Sequence, residues 1–409
     1  MRALQPGATF ETDRLLAPAE ALETYFAAVP ARPRGIERVG LDAAFGRILA
    51  RDAVAGGPYP ADDRSTMDGF AVRSADGSSP RRITGTIRMG AAPPGRLGPG
   101  EAMRIPTGGV LPPDADAVVP IEDGQERDGE LIAAAAPQPG AYFTPRGQDM
   151  APGDLVLRAG RRIGAAELSV LATLGVTAPE VYLRPAVAIV STGDELVDAV
   201  REPGTGQVRD SNRWAIAGVL AALGCEVVHL PHSVDEIGAI RAGIAEGLRV
   251  ADAVVLTGGS SVGARDHVPA AIDGLGPPGV VVHGLRVKPG KPTVLAAVGT
   301  RPVIGLPGNP ASALTILDAI ASEVFRALTG EVQARRATVA AVAAEAFFGR
   351  AGWTWYVPAV LDGVAARPLA LRSSHTSLLA RADGYVVVGP QQPRIDPGEP
   401  VIVVRYGAG

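Results

Sequence analysis

Between residues 180 and 330 short apolar runs alternate with stretches of helical spacing, and this rhythm constrains the chain more than any other feature. Strands are expected at 186–190, 225–230, 252–257, 280–286 and 302–306, and helices at 212–223, 235–248 and 310–328. Such alternation predicts a parallel sheet with right-handed crossovers. Ligands of open α/β sheets bind outside the carboxyl ends of the strands. Three anion-friendly turns fall at such ends: Ser191-Thr192-Gly193-Asp194-Glu195, Thr257-Gly258-Gly259-Ser260-Ser261 and Leu306-Pro307-Gly308-Asn309-Pro310. Together they predict one site for a phosphorylated or oxyanionic ligand.

Each turn has its own chemistry. Pro307-Gly308-Asn309 starts a helix, with Asn309 placed to cap it, Pro310 at its first position and Ser312 in the first turn. The amides of that turn favour a phosphate. Gly258 and Gly259 let backbone approach an anion, and Ser260 and Ser261 add hydroxyl donors. The phosphate-loop lysine and the dinucleotide Gly-x-Gly-x-x-Gly spacing are both missing there, which argues against a P-loop ATPase or a nicotinamide enzyme. Asp194, Glu195, Asp235 and Asp266 are each more often caps or surface groups. Gathered at one sheet edge beside phosphate they are the type of set that holds Mg²⁺. Lys288 and Lys291 are the chain's two lysines, three apart in a Pro/Gly-stiffened loop, and a phosphate-binding role is at least as good a reading as a solvated loop.

Other segments are plainer. Helices are expected at 17–29, 41–51 and 165–174. Residues 52–145 are rich in Pro and Gly and predict a β-rich lobe. Residues 331–409 predict a small β domain with strands at 384–388 and 401–406. Net charge of −4 excludes a broad basic field for nucleic acid. Cys225 is the single cysteine, so no intrachain disulfide forms, and a small core residue is the better reading of it. The five histidines make no zinc pattern. No apolar run reaches membrane-spanning length and no signal-type segment opens the chain, so a reducing cytoplasm is expected.

An ordered series of motifs then runs through nearly the whole chain: 65–73 (STMDGFAVR), 106–109 (PTGG), 146–149 (RGQD), 192–196 (TGDEL), 210–213 (DSNR), 258–266 (GGSSVGARD), 288–292 (KPGKP), 306–312 (LPGNPAS) and 377–384 (SLLARADG). This set resembles the molybdopterin molybdenumtransferase family, the MoeA-type proteins that include the C-terminal domain of gephyrin. The resemblance implies an elongated multidomain α/β plus β subunit. Its parts are a split helical segment (1–51 plus 146–179), an inserted β-rich lobe (52–145), a molybdopterin-binding α/β domain (180–330) and a C-terminal β-barrel (331–409). It also implies a homodimer with a site shared between subunits, and insertion of molybdate into adenylylated molybdopterin with Mg²⁺-assisted release of AMP.

Carried over by motif, the resemblance assigns catalytic positions to Asp68, Thr107, Glu195, Asp235 and Asp266. The last three would hold Mg²⁺. Gly258, Gly259, Ser260, Ser261, Lys288, Lys291, Pro307, Gly308, Asn309 and Ser312 would bind substrate. Asp68 and Thr107 carry no signal of their own, since an Asp-Gly turn in a β region reads first as a hairpin. Two departures from the family pattern stand out: His267 replaces an aromatic residue, and Ser260 replaces a valine. A molybdopterin adenylyltransferase and a non-catalytic molybdopterin carrier or scaffold are the rival readings, and tungstate is an alternative to molybdate. A molybdopterin adenylyltransferase and acceptor molybdoenzymes are the partners the pathway implies.

Overall fold

The computed structural model describes residues 15–258, 267–332, 336–370 and 376–406. The chain divides into two compact units: residues 1–51, 159–168 and 178–409 in one, and 52–158 with 169–177 in the other.

The first unit is centred on a six-stranded sheet. In chain order its elements are β1 (Ala186–Ser191), α1 (Asn212–Ala222), β2 (Glu226–His229), α2 (Ile237–Val250), β3 (Ala253–Thr257), α3 (Val268–Asp273), β4 (Pro278–His283), β5 (Val294–Val298), β6 (Arg301–Leu306) and α4 (Pro310–Ile316). The strand order is β2-β1-β3-β6-β5-β4. Strands β2, β1, β3 and β6 are parallel. Strands β5 and β4 are antiparallel to their neighbours, so the sheet is mixed rather than wholly parallel. The cause is local. Val298 pairs with Arg301 across a two-residue turn, and so short a connection joins only antiparallel strands.

Both faces of the sheet are buried, which is why its strands read as continuous apolar runs. Val187 and Ile189 of β1 face one cluster with Ile216, Leu220 and Ile316. Ala188 and Val190 face the other, with Ile240, Ile244 and Ile272. The helix Pro18–Ala28 supplies Ala21 and Tyr25 to the first cluster, and the Tyr25 hydroxyl donates to the Ala296 carbonyl at 3.3 Å. Cys225 is buried in the same cluster, and burial pushes its thiol up to about 12, which suits a core residue. The expected helix 310–328 is continuous, but a π-helical turn, Leu317–Ala321, separates α4 from Ser322–Thr329.

The helix expected at 41–51 is corrected. Only Leu41–Ala44 is helical. Ile48 and Leu49 instead pair with Arg162 and Val181, and the Leu49 and Ala50 amides donate to Arg161 and Glu180 carbonyls at 2.9 and 2.8 Å. Leu41, Ala44, Phe45, Ile48 and Leu49 have helical spacing, yet tertiary pairing outweighs that local preference.

The same unit carries a closed five-stranded β-barrel: Thr338–Ala343, Thr354–Asp362, Ala365–Pro368, Gly384–Val388 and Pro400–Arg405. Its core includes Phe347, Val357, Val386 and Val403. Arg336 ties it to the π-helical turn, donating to the Tyr385 hydroxyl at 2.8 Å and the Ser322 hydroxyl at 2.8 Å.

The second unit is β-rich. Its six-stranded sheet runs Ala117–Pro120, Gly69–Val72, Glu101–Ile105, Arg81–Thr86, Glu130–Ala133, Gly124–Arg127 in spatial order. The helix Ala165–Thr173 matches the expectation at 165–174. Among the described residues no helix is long and apolar enough to cross a membrane.

One buried ion cluster holds the large unit together. Arg162 grips Glu331 with two bonds of 2.9 Å, and Arg326 adds a third at 2.6 Å. Arg162 also donates to the Gly46 and Leu223 carbonyls, both at 3.0 Å. Burial alone would raise the Glu331 carboxyl, but the two guanidinium groups outweigh it and hold it low. A carboxyl depressed in the folded state stabilises above its unfolded pKa, and that stability fades as pH falls through the folded value. Glu331→Gln is expected to cost about 3 kcal/mol at pH 7, because the buried Arg326 and the half-buried Arg162 lose their shared partner. Chemical denaturation at pH 7 and pH 3 checks this: the deficit should be large at pH 7 and shrink at pH 3.

Candidate functional site

Three strand-end turns converge at the carboxyl edge of the sheet. The Thr192 amide donates to the Thr257 carbonyl at 2.9 Å, which joins the turns after β1 and β3. Gly258 has φ +96°, and a Cβ there would lie 2.0 Å from the Thr192 carbonyl oxygen, so only glycine fits. The turn after β6 lies against it, since a Cβ on Gly308 would meet the Gly258 Cα at 3.4 Å. Asn212, the first residue of α1, fastens the two. Its Nδ2 donates to Thr257 Oγ1 at 2.8 Å and to the Gly308 carbonyl at 2.7 Å.

Pro307 is buried, whereas Gly308 and Asn309 are exposed. Asn309 stands at the N-cap of α4, but its side chain makes no cap bond, contrary to the capping role expected for it. The side-chain oxygen is therefore not spent on the first-turn amides, which stay available to a ligand. Ser312 is buried within that turn. Gly259, Ser260, Ser261 and Asp266 lie outside the described residues.

The acidic residues divide. Segment 191–194 clasps the chain before α2: the Ser233 amide donates to the Ser191 carbonyl at 2.8 Å, and the Gly193 amide to the Ser233 carbonyl at 3.2 Å. Asp194 Oδ1 accepts the Asp235 amide at 3.1 Å. Asp194, not Glu195, is thus the carboxylate that touches Asp235. Glu195 is exposed, and its carboxylate lies over Gly193. Helix α2 begins at Ile237, so Asp235 precedes it instead of opening it. Four buried atoms here make no hydrogen bond: Ser191 Oγ, Thr192 Oγ1, Asn212 Oδ1 and Asp235 Oδ1. Unsatisfied buried polar atoms are costly, so partners from outside the chain, ordered water or a polar ligand, are expected at this edge. Among the described residues no three Asp, Glu, His or Cys side chains gather to hold a metal. Mg²⁺ commonly takes only one or two carboxylates and keeps several waters, so Asp235 with its free oxygen and the exposed Asp194 and Glu195 fit that ion.

The lysine loop follows a short strand, Val287–Lys288. Lys288 is exposed, with its Nζ 4.1 Å from the centre of the Trp355 ring. Lys291 is partly buried, and its carbonyl accepts the Leu285 amide at 2.8 Å.

In the β-rich unit, Asp68 and Thr107 meet directly. Asp68 Oδ1 accepts the Thr107 amide at 2.6 Å and the Thr107 hydroxyl at 2.9 Å. Those two bonds, backbone first, hold the Asp68 carboxyl below its ordinary range. The loops that carry them are stapled by Ser65 and Gly109 (2.9 Å), Gly108 and Ser65 (2.7 Å), and Arg64 Nη1 to the Gly108 carbonyl (2.8 Å).

Sequence reasoning assigned no role to Asn212 or to the hydroxyls of Ser191 and Thr192. Asn212 was visible only as part of the 210–213 string, where an asparagine at a helix start reads as an ordinary cap.

Comparison with known proteins identifies the class that this architecture defines. Residues 188–327 match a family described as a probable molybdopterin binding domain. Residues 16–175 match the MoeA N-terminal region (domain I and II), and residues 340–406 the MoeA C-terminal region (domain IV). A molybdopterin molybdenumtransferase of Nostoc sp. is 34% identical over 72% of this chain and 70% of its own. One of Haemophilus influenzae is 28% identical over 91% and 95%. A molybdopterin biosynthesis MoeA protein of Pyrococcus horikosii superposes with a TM-score of 0.77 and 31% identity, covering 97% of this chain and 100% of that one. The chain belongs to the MoeA family.

Thr107→Val removes one of the two bonds that depress the Asp68 carboxyl. Its pKa should rise toward the ordinary carboxylate value while the fold persists. Carbon-detected NMR titration of Asp68 reads the shift; an unchanged midpoint would show that the Thr107 hydroxyl does not act on the carboxylate.

Proposed function

We infer that this protein is a molybdopterin molybdenumtransferase, a transferase of molybdenum cofactor biosynthesis. It takes adenylylated molybdopterin and molybdate, and yields molybdenum cofactor and AMP. The observation that carries this reading is the meeting of three strand-end turns around buried, unpartnered polar atoms, in a chain that also keeps the paired Asp68 and Thr107.

Each group has a physical task. Amides of the turns at Gly258 and at Pro307–Asn309, with Lys288 and Lys291, hold the phosphates of the linkage between pterin and adenylate. Asp235, Glu195 and Asp266 would hold Mg²⁺ there. When bound, Mg²⁺ neutralises charge on the phosphoanhydride. The carboxylates also orient water or molybdate at the phosphoanhydride. An ionised Asp68 repels molybdate, so its work is orientation: it fixes the Thr107 amide and hydroxyl. Both Thr107 donors are spent on Asp68, so the hydroxyl would turn its single proton from Asp68 to the oxyanion when molybdate binds.

The protein acts as a homodimer in which Asp68 and Thr107 of one subunit complete the site on the α/β domain of the other. It works in the cytoplasm, between a molybdopterin adenylyltransferase that supplies the substrate and molybdoenzymes that take the product.

The test loads purified protein with adenylylated molybdopterin, adds Mg²⁺ and molybdate, and follows AMP release and reconstitution of an apo-molybdoenzyme. Release should depend on molybdate, and Asp68→Asn, Glu195→Gln or Asp266→Asn should each lower kcat by ~10²-fold. Co-refolded Asp68→Asn and Glu195→Gln chains should regain about one quarter of the activity, since half the dimers carry one intact site. Tight pterin binding without turnover would favour a carrier. AMP release that ignores molybdate would overturn the transferase reading, and no recovery on mixing would overturn the shared site.

A further inference from the structure

Lys288 is not a freely sweeping lysine. Val287 and Lys288 add a parallel strand at the start of the barrel strand Thr354–Asp362, with Val287 opposite Thr354 and Lys288 opposite Trp355. The Thr354 amide donates to the Arg286 carbonyl at 3.1 Å and extends this pairing. Residues opposite each other in a sheet project to the same face. The ammonium accordingly sits over the indole face, 4.1 Å from the ring centre. The barrel strand bearing Trp355 is paired over much of its length, to Gly384–Val388 on one side and Ala365–Pro368 on the other. Trp355 is thus a rigid seat.

The other end of the loop is fixed as well. A Cβ on Gly290 would lie 2.1 Å from Ile316 Cγ1, so the loop backbone rests directly on α4. The Thr293 hydroxyl donates to the Gly290 carbonyl at 2.7 Å and closes the loop. Helix α4 is the helix that starts at the Pro307–Asn309 turn. One loop therefore lies on the helix of that turn and places its lysine on the barrel.

We propose that Trp355 is a positioning residue for phosphate binding, which acts by holding the Lys288 ammonium in place before the adenylylated pterin arrives. A solvated lysine must give up its side-chain freedom on binding, whereas one seated on an aromatic face has already done so. The indole Nε1 is buried and makes no hydrogen bond. What the site needs is therefore the aromatic face and not the indole N–H, so phenylalanine should serve and leucine should not.

The proposal rests on the transferase reading above and is tested by a double-mutant cycle. Trp355→Leu, Trp355→Phe, Lys288→Met and Trp355→Leu/Lys288→Met are assayed for binding of adenylylated molybdopterin without molybdate, for KM and kcat, and for Tm. Trp355→Leu should weaken binding and raise KM by ~3–5-fold, the size of an exposed cation–π contact, with kcat within about 2-fold. Trp355→Phe should stay near wild type. In the Lys288→Met background Trp355→Leu should add nothing, because the two act through one contact. The proposal is overturned if the two changes simply add, if Phe is as poor as Leu, or if Tm falls with binding unchanged. Failure of the transferase reading looks different: wild-type protein would bind the adenylylated pterin, with the Lys288–Trp355 coupling intact, yet release no AMP.

Discussion

The carboxyl edge of the sheet depends on how closely two stretches of backbone approach at Gly258. A side chain there would strike the Thr192 carbonyl, so the turns after β1 and β3 can share an amide–carbonyl bond only because residue 258 is glycine. Asn212 then binds that junction to the turn after β6 with one amide group. The result is an edge where three strand-end turns meet and where buried hydroxyl and side-chain amide oxygens are left without partners. A fold can tolerate that polar deficit when a ligand repays it.

Away from this edge the large unit is braced by charge. The Glu331 carboxylate draws Arg162 and Arg326 together, and Arg162 reaches on to two carbonyls from separate segments. Arg336 does the same on the barrel side, meeting Tyr385, Ser322 and the carboxylate of Glu323. It grips the helix at and just beyond a π-helical turn. Arginine suits such points because its planar group offers several donors in fixed directions. The chain's basic residues are nearly all arginine. Its two lysines fall in a loop between α4 and the barrel, and one of them, Lys288, is seated on the aromatic ring of Trp355.

Much of this was legible in the sequence, for reasons specific to each segment. The strand–turn–helix rhythm of 186–312 was clear because both faces of the sheet are buried and the turns carry Gly, Ser, Asn and Pro. The antiparallel strand β5 was not: 294–298 was not among the expected strands, and a two-residue turn at 299–300 joins it to β6. The segment 41–51 misled because its apolar spacing is helical while Ile48 and Leu49 find strand partners far along the chain. Asp68 and Thr107 stood out only through resemblance: an Asp-Gly turn says nothing of a threonine 39 residues away that donates to it. Asn212 and Trp355 escaped for a similar reason. Their importance lies in what they touch across the fold, and neither contact leaves a local pattern.

The central claim is that the turns at Thr192, Gly258 and Pro307–Asn309 form one phosphate-binding edge. A crystal structure of the protein with adenylylated molybdopterin, in the absence of molybdate, tests it most directly. The account predicts the phosphate linkage within hydrogen-bond reach of the turn amides at residues 258, 308 and 309, with a carboxylate of the Asp194–Asp235 cluster facing it. Well-defined pterin or adenylate density elsewhere, with those amides facing solvent, would contradict the account.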